Sequence, residues 1–208
     1  MSDITLYRSI ASRSVTALWM LEELGVPYRM ETFDIAKGEN RSPEYLALNP
    51  HGRVPMIVDG DIKVTEAPAI CLYLADRYGA GSLAPRLDEA ARGPYLSWTV
   101  WATSVLEPAS ALGGLKVDTK RGNWGFGFDT LDAALQVLEA ALEPTGFLAG
   151  NRFTAADVMV GAVVAMRLFT GELPNRPALT AYNERNTARP AFKKAADINW
   201  PPEVFGRS

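Results

Sequence analysis

Three serines lie close together after the first strand-like segment of the chain. Ser9, Ser12 and Ser14 are separated by two apolar residues and by Arg13. A serine hydroxyl in a turn can donate a hydrogen bond to a bound anion. Serine is also a favoured N-cap, so the alternative is that these residues only cap the helix that follows.

A second group of polar residues leads into a proline. Residues 49–55 read NPHGRVP, and Pro55 stands where a strand begins. Proline removes one hydrogen-bond donor from a strand, so its position needs a structural reason. His51 and Arg53 are candidate carboxylate ligands, because arginine offers a planar pair of donors and histidine offers one or two. A tight turn before an edge strand, with a solvated histidine, is the alternative.

A third candidate, the pair Glu66 and Ala67, stands where a predicted hairpin meets a predicted helix. The first amides of a helix lack intrahelical partners and carry the positive end of its dipole, so they suit a carboxylate. Glu66 could accept a hydrogen bond from an ammonium group beside that carboxylate. The alternative is that Glu66 only complements the helix dipole.

The composition excludes several classes of function. The chain has 208 residues, of which 48% are hydrophobic and 22% charged, as in a folded globular protein. The formal net charge of −3 offers no basic excess, so a nucleic-acid partner is not expected. No apolar run approaches the roughly 20 residues that span a bilayer, so no membrane partner is expected. The start, residues 1–3, lacks the pattern of a signal peptide, which predicts a cytoplasmic location.

The single cysteine and the single histidine limit the chemistry further. One cysteine excludes an internal disulfide, and one histidine makes a metal site unexpected. A Ser-His-acid triad would have to use His51, and the sequence has no Gly-x-Ser-x-Gly elbow. Cys71 lies in the apolar stretch 70–74, which predicts a packing role in the core.

The first part of the chain predicts a mixture of strands and helices. Residues 1–79 give the order β-α-β-α-β-β-α, with alternating apolar residues in the strands and helical spacing in between. The first helix is predicted from Ser14, and Gly25 ends it. Thr65 is predicted to cap the last helix of this part.

The second part predicts helices almost exclusively. Residues 87–208 begin with one long helix over about 87–112, bent near Pro108. The nearly continuous apolar run 154–168 predicts the core helix of this domain. The run starts with Thr154-Ala155-Ala156-Asp157, which fits a capping box in which aspartate replaces the usual glutamate or glutamine.

Residues 49–55 followed by residues 65–67 resemble the tripeptide-binding segment of glutathione transferases. The order of elements in the first domain resembles the thioredoxin-like fold, which this family joins to a helical domain. The resemblance covers nearly the whole chain and includes residues 153–157 of the helical part. It implies an α/β plus all-α fold, with a thioredoxin-like domain over 1–79 and an all-helical domain over 87–208.

The resemblance also implies a glutathione site. The peptide bond before Pro55 would be cis, and Val54 would pair in antiparallel fashion with the cysteinyl unit of glutathione. Glu66 and the amide of Ala67 would bind the γ-glutamyl end. The family usually has a serine after the acidic residue, so Ala67 loses a hydroxyl contact and keeps the amide contact. Further glutathione-binding candidates are the basic residues Arg13, His51, Arg53 and, ranked last, Lys37.

In this family a hydroxyl near the first turn stabilises the glutathione thiolate. Ser12 is ranked first for this role, followed by Ser9 and Ser14, and Tyr7 on the strand is ranked last. The implied reaction is the attack of the sulfur on a small hydrophobic electrophile, with glutathione as co-substrate and no prosthetic group. A glutathione-dependent isomerase or peroxidase, or a non-catalytic binding protein of the same fold, is the alternative. A helical binding module unrelated to this family leaves residues 1–80 unexplained.

The hydrophobic substrate is expected between the two domains, where ligand pockets commonly form. The candidate residues are the aromatic side chains Tyr95, Trp98, Trp101 and Trp124. Helical aromatic residues at this spacing pack in a core more often than they bind a ligand. The family resemblance further implies a homodimer.

Overall fold

The computed structural model describes residues 3–119 and 126–201 and divides into two compact units. One unit combines the described parts of residues 1–80 and 189–208, and the other contains those of residues 81–188. The first unit has an α/β structure and the second is helical, which confirms the predicted fold class. No helix among the described residues has the length and apolar character needed to cross a bilayer.

A four-stranded mixed sheet forms the centre of the first unit, in the order β2-β1-β3-β4. β1 and β2 are parallel, whereas β3 is antiparallel to both β1 and β4. The strands are β1 (Ile4–Arg8), β2 (Tyr28–Thr32), β3 (Met56–Asp59) and β4 (Ile62–Thr65). The helices are α1 (Ser14–Leu24), α2 (Pro43–Leu48), α3 (Ala67–Tyr78) and α9 (Pro190–Asn199).

Helix α1 is buried over its first eight residues. It ends where predicted, because Gly25 adopts the left-handed conformation, with φ 63°, that closes the last turn. Trp19 is fully buried and packs edge-on against Phe192 of α9, with ring centroids 4.9 Å apart. Burial of such side chains contributes about 1.5–3 kcal/mol each.

The last helix packs with the first unit, whereas the sequence predicts one helical domain over residues 87–208. Helix α9 contacts α1 along its length. Arg189 forms a two-pronged ion pair with Glu23, with contacts of 2.5 and 2.7 Å, and Lys194 pairs with Glu22 at 2.8 Å. These contacts join residues more than 160 positions apart, so local sequence patterns do not reveal them.

The second unit contains five α-helices among its described residues. They are α4 (Arg92–Trp101), α5 (Glu107–Gly114), α6 (Leu131–Leu142), α7 (Ala155–Phe169) and α8 (Pro177–Thr187). A π-helical segment, Ala102–Leu106, joins α4 to α5 in place of the single bent helix predicted from the sequence. Pro108 lacks the amide that would bond to the carbonyl of Ser104, so the change in helical pitch lies where the normal ladder is interrupted.

Helix α7 forms the core of the helical unit, as predicted, because its residues 155–165 are all buried. Its capping box is present: Thr154 is the N-cap, and the Asp157 carboxylate accepts a hydrogen bond from the Thr154 amide at 3.0 Å. Asp157 also accepts from the Leu148 amide and from the hydroxyl of Tyr182, each at 3.2 Å. The start of α7 is therefore tied to the preceding loop and to α8.

Candidate functional site

The sheet register brings the three candidate segments to one end of the sheet, here called the site end. Met56 pairs with Tyr7 of β1 and with Thr65, the last residue of β4. Continued by two residues, this register sets the segment before Pro55 beside the residues that follow β1 and beside the start of α3. Segments that are far apart in sequence therefore meet at the point where β3 begins.

Residues 9–14, here called the serine turn, follow β1 at the site end. The hydroxyl of Ser12 lies 2.7 Å from the carbonyl oxygen of Ser9 and 2.8 Å from the hydroxyl of Ser14. It also accepts a hydrogen bond from the Ser14 amide at 3.1 Å. Because Ser12 has one hydroxyl hydrogen and a carbonyl only accepts, the hydrogen between the two hydroxyls comes from Ser14 whenever Ser12 donates to Ser9.

The three serines differ in how strongly the turn engages them. Ser14 is fully buried, Ser9 is 5% exposed and Ser12 is partly exposed. The Ser9 hydroxyl has a long contact of 3.4 Å to the carbonyl of Ile10, beyond the usual range for a hydroxyl donor. The Ser12 hydroxyl, in contrast, braces the turn internally. The N-cap of α1 is Arg13, and its side chain makes no capping hydrogen bond.

Val54 and Pro55 lie between the serine turn and the start of α3. The Val54–Pro55 peptide bond is cis, as the resemblance implies. Val54 precedes β3, and neither its amide nor its carbonyl oxygen forms a hydrogen bond with another described residue. Since nearly all buried main-chain groups are paired, this half-exposed pair of polar groups is available to a ligand.

The loop before Val54 is held through its carbonyl groups. The side-chain amide of Asn40 donates to the carbonyl of Gly52 at 2.7 Å, and the side-chain amide of Asn49 donates to that of Arg53 at 2.8 Å. The Tyr45 hydroxyl donates to the same Arg53 carbonyl at 2.5 Å. Gly52 has φ 58°, and a Cβ there would meet the Asn40 carbonyl oxygen at 2.9 Å. Sequence reasoning missed these supporting residues, because asparagine and tyrosine at these spacings form no recognisable motif.

Glu66 has an unusual main chain. It is the N-cap of α3, where Thr65 was predicted, and its φ of 68° with ψ of 123° lies outside the regions that non-glycine residues favour. Thr65 pairs with Met56 in the sheet and so belongs to β4. Strained residues of this kind cost about 1–3 kcal/mol and cluster at functional sites.

Glu66 and the amides that follow it provide groups of both signs at the site end. The Glu66 carboxylate is exposed and makes no capping bond. The amide of Ala67 has no hydrogen-bond partner among the described residues, and Pro68 carries no amide hydrogen. Ala67 is only 6% exposed, so its methyl group offers little surface to a ligand. Its main-chain amide is therefore the group that a ligand can contact.

The basic candidates are all at the surface. Arg13, His51 and Arg53 are exposed. Lys37 forms an ion pair with Asp34 at 3.0 Å, so part of its charge is already compensated. Tyr7 packs its ring against those of Phe33 and Tyr45, with centroids 6.1 and 5.6 Å away, as a core aromatic residue does. These two distances give Tyr7 a packing role in the first unit.

The aromatic substrate candidates lie in the helical unit. Tyr95 is fully buried, with Arg92 stacked 5.0 Å from its ring, so it offers no surface to a ligand in this conformation. Trp98 and Trp101 are partly buried and touch edge-on at 4.9 Å, and Trp101 also packs against the small core formed by α5 and α6. Trp124 lies outside the described residues.

Three other features bear on the chemistry. A cavity of about 250 Å³ in the helical unit is lined by α5, α6 and residues 117–119, and its described lining includes none of Tyr95, Trp98 and Trp101. Over residues 3–119 and 126–201, no group of three or more His, Cys, Asp or Glu side chains could hold a metal ion. Burial raises the pKa of the Cys71 thiol to about 12, so this cysteine stays protonated and unreactive.

The sequence matches two domain families that divide the chain. Residues 2–76 match the family described as glutathione S-transferase, N-terminal domain, and residues 83–182 match glutathione S-transferase, C-terminal domain. The chain is 31% identical over 214 residues to glutathione S-transferase F10 of Arabidopsis thaliana, covering 93% of this chain and 96% of the relative.

Solved structures give the same picture. The theta class glutathione S-transferase of Xanthomonas axonopodis pv. citri, solved with glutathione bound, is 31% identical with a TM-score of 0.72, covering 94% of this chain and 97% of that one. The glutathione transferase URE2P6 of Phanerochaete chrysosporium, in complex with oxidized glutathione, is 25% identical with a TM-score of 0.79, covering 95% and 96%.

Proposed function

Because the chain belongs to the glutathione S-transferase family, we propose that it binds glutathione as a thiolate and conjugates the tripeptide, through its sulfur, to a small hydrophobic electrophile. One observation carries this proposal: the main-chain amide and carbonyl of Val54 form no hydrogen bond with another described residue at the site end, between the serine turn and the start of α3. A short extended peptide is the natural partner for such a pair of groups.

The charges around Val54 support glutathione as that peptide. When the cysteinyl unit of glutathione pairs with the main chain of Val54, the γ-glutamyl end of the tripeptide faces α3. The carboxylate of that end meets the amide of Ala67 at the helix N-terminus, and its ammonium group meets Glu66. The glycyl carboxylate lies toward the loop that carries His51 and Arg53, with Arg13 and Lys37 as further candidate cations.

The serine turn supplies the donor for the sulfur. A thiol with a pKa of about 8.5–9 is mostly protonated at neutral pH. A hydroxyl donor and the N-terminus of α1 together lower that pKa by roughly one to two units, which corresponds to about 1.4–3 kcal/mol. The thiolate then attacks the electrophile directly, so no covalent intermediate with the protein forms.

We place Ser9 ahead of Ser12 as this donor, with Ser14 third. The Ser9 hydroxyl is engaged only by the long 3.4 Å contact, so turning it toward a ligand costs little. The Ser12 hydroxyl would have to give up its 2.7 Å contact to the Ser9 carbonyl. This hydrogen-bond pattern supports an order that residue types alone do not give.

The remaining assignments extend the same proposal. Trp98 and Trp101 are the aromatic candidates for contact with the electrophile. A homodimer stays a prediction from the family, and a cytoplasmic location stays a prediction from the sequence pattern. A non-catalytic glutathione-binding protein is the second candidate, because Ala67 lacks the hydroxyl that the family usually presents at that position.

Calorimetric titration with glutathione, followed by an aryl halide conjugation assay, tests the proposal. We expect millimolar or tighter binding, and measurable turnover. Ser9→Ala should leave binding nearly unchanged, raise the pKa of the bound thiol by about one unit, since the N-terminus of α1 remains, and lower turnover at neutral pH by about tenfold. Ser12→Ala removes the same atom from the same turn and is the matched control.

Each outcome of this test separates two alternatives. Absence of binding at millimolar glutathione would overturn the whole proposal. Binding without turnover would identify a non-catalytic binding protein. A larger shift of the thiol pKa in Ser12→Ala than in Ser9→Ala would return Ser12 to first place.

A further inference from the structure

We propose that Asn199, at the end of the last helix, is a positioning residue that holds the serine turn in the conformation that activates the glutathione thiol. This inference rests on the proposed function, since it concerns the same turn. Asn199 is separated from the turn by more than 180 residues in sequence, and no sequence motif connects them.

Asn199 makes two hydrogen bonds to consecutive residues of the turn. Its main-chain carbonyl accepts from the amide of Ala11 at 2.8 Å, and its side-chain amide donates to the carbonyl of Ser12 at 2.9 Å. Asn199 is fully buried, so water does not compete for these bonds. One residue of α9 thus binds the peptide units on either side of the Ala11–Ser12 peptide bond.

The segment formed by Ala11 and Ser12 needs support from hydrogen bonds of this kind. Ala11 has φ 52°, a left-handed conformation that is uncommon for a residue with a Cβ. Such a conformation persists only where the surrounding contacts fix it. A turn without that support can relax to ordinary φ values, which would move Ser9 and Ser12 relative to the site end.

Arg8 fixes the orientation of the Asn199 side chain. Its guanidinium lies 3.4 Å from the side-chain oxygen of Asn199 and donates to the carbonyl of Ile198 at 3.0 Å. This contact leaves the NH₂ group of Asn199 facing Ser12, because a flipped amide would set two donors against each other. Arg8 is 4% exposed, and no carboxylate of the described residues forms an ion pair with it. The negative end of the α9 dipole compensates its charge instead.

The test uses the pKa of the glutathione thiol bound to the full-length protein, measured from thiolate absorbance against pH. Asn199→Leu keeps the side-chain volume and removes the donor without adding charge. Asn199→Asp keeps an oxygen for Arg8 and removes the donor to Ser12, so it should fold even if the leucine variant does not. We expect both to raise the thiol pKa by about half to one unit and to lower kcat by about three- to tenfold, with little change in KM for glutathione.

Arg189→Gln is the matched control, because it weakens the attachment of α9 at the opposite end, through the pair with Glu23. It should lower unfolding stability and leave the thiol pKa unchanged. A wild-type thiol pKa in both Asn199 variants would overturn the inference, and so would an equal shift in Arg189→Gln, which would mark a purely structural role. Failure of the wild-type protein to bind glutathione would instead count against the proposed function.

Discussion

At the scale of single residues, the site end depends on main-chain conformations that side-chain identity does not encode. Glu66 and Ala11 both have positive φ although neither is glycine. Each stands next to groups that we assign to the glutathione site. Strain at a ligand site lowers the stability of the folded protein. In return, the protein groups that bind the ligand are already fixed in place before binding.

Glu66 allows charge and strain to be tested separately. Glu66→Gln keeps the shape and removes the charge, so glutathione affinity should fall about three- to fivefold, the range for a pair of exposed charges. Glu66→Gly also removes the strain at φ 68°, so the free energy of unfolding should stay level or rise by about 1 kcal/mol while affinity falls. Calorimetric titration and chemical denaturation measure the two effects.

Lys116 provides the control for this prediction. It has φ 55° and is exposed in the helical unit, whereas the main-chain groups assigned to glutathione belong to the first unit. Lys116→Gly should change stability in the same direction and leave glutathione binding unaltered. Unchanged affinity in both Glu66 variants would show that Glu66 does not contact the ligand.

At the scale of elements, the start of α7 makes stability depend on pH. Burial raises the pKa of Asp157 to about 6, despite the amide and hydroxyl donors that favour its charged form. The unfolded value is about 3.9, so between these two pH values the folded state binds more protons than the unfolded state. The contribution of Asp157 to stability is therefore fully present below about pH 4 and is lost as the pH rises through 6.

Asp157→Asn tests this dependence, because asparagine cannot ionise. The free energy of unfolding of the wild-type protein should decrease relative to that of the variant by up to about 3 kcal/mol between pH 4 and pH 7. Denaturant titrations of both proteins across this range measure the difference. If the free energies of unfolding of the two proteins vary with pH in parallel, Asp157 has an ordinary pKa in the folded state. Its hydrogen-bond donors then cancel the effect of burial on that pKa.

At the scale of the whole molecule, local signals predict the elements well and long-range contacts poorly. The glycine that ends α1 and the capping box of α7 act within one helical turn, so the sequence predicts both. The packing of α9 with the first unit joins residues at opposite ends of the chain, and only the folded structure reveals it. The contacts of Asn199 belong to this second class.

The candidate site divides in the same way. Residues 49–55 and 65–67 are recognisable from their types and order, since proline and an acid at a helix start have defined conformational effects. The ranking of the serines is not recognisable from the sequence, because it depends on which serine hydroxyl forms a hydrogen bond within the turn. That choice follows from distances of a few tenths of an ångström, which residue types do not specify.

Amide hydrogen exchange followed by NMR measures whether the main chain of Val54 pairs with glutathione. We expect saturating glutathione to slow exchange at the Val54 amide by at least tenfold. The amide of Asp61, in the hairpin at the opposite end of the sheet, should be unaffected. Unchanged exchange at Val54 under saturating ligand, or equal slowing at Asp61, would show that glutathione does not pair with the main chain of Val54.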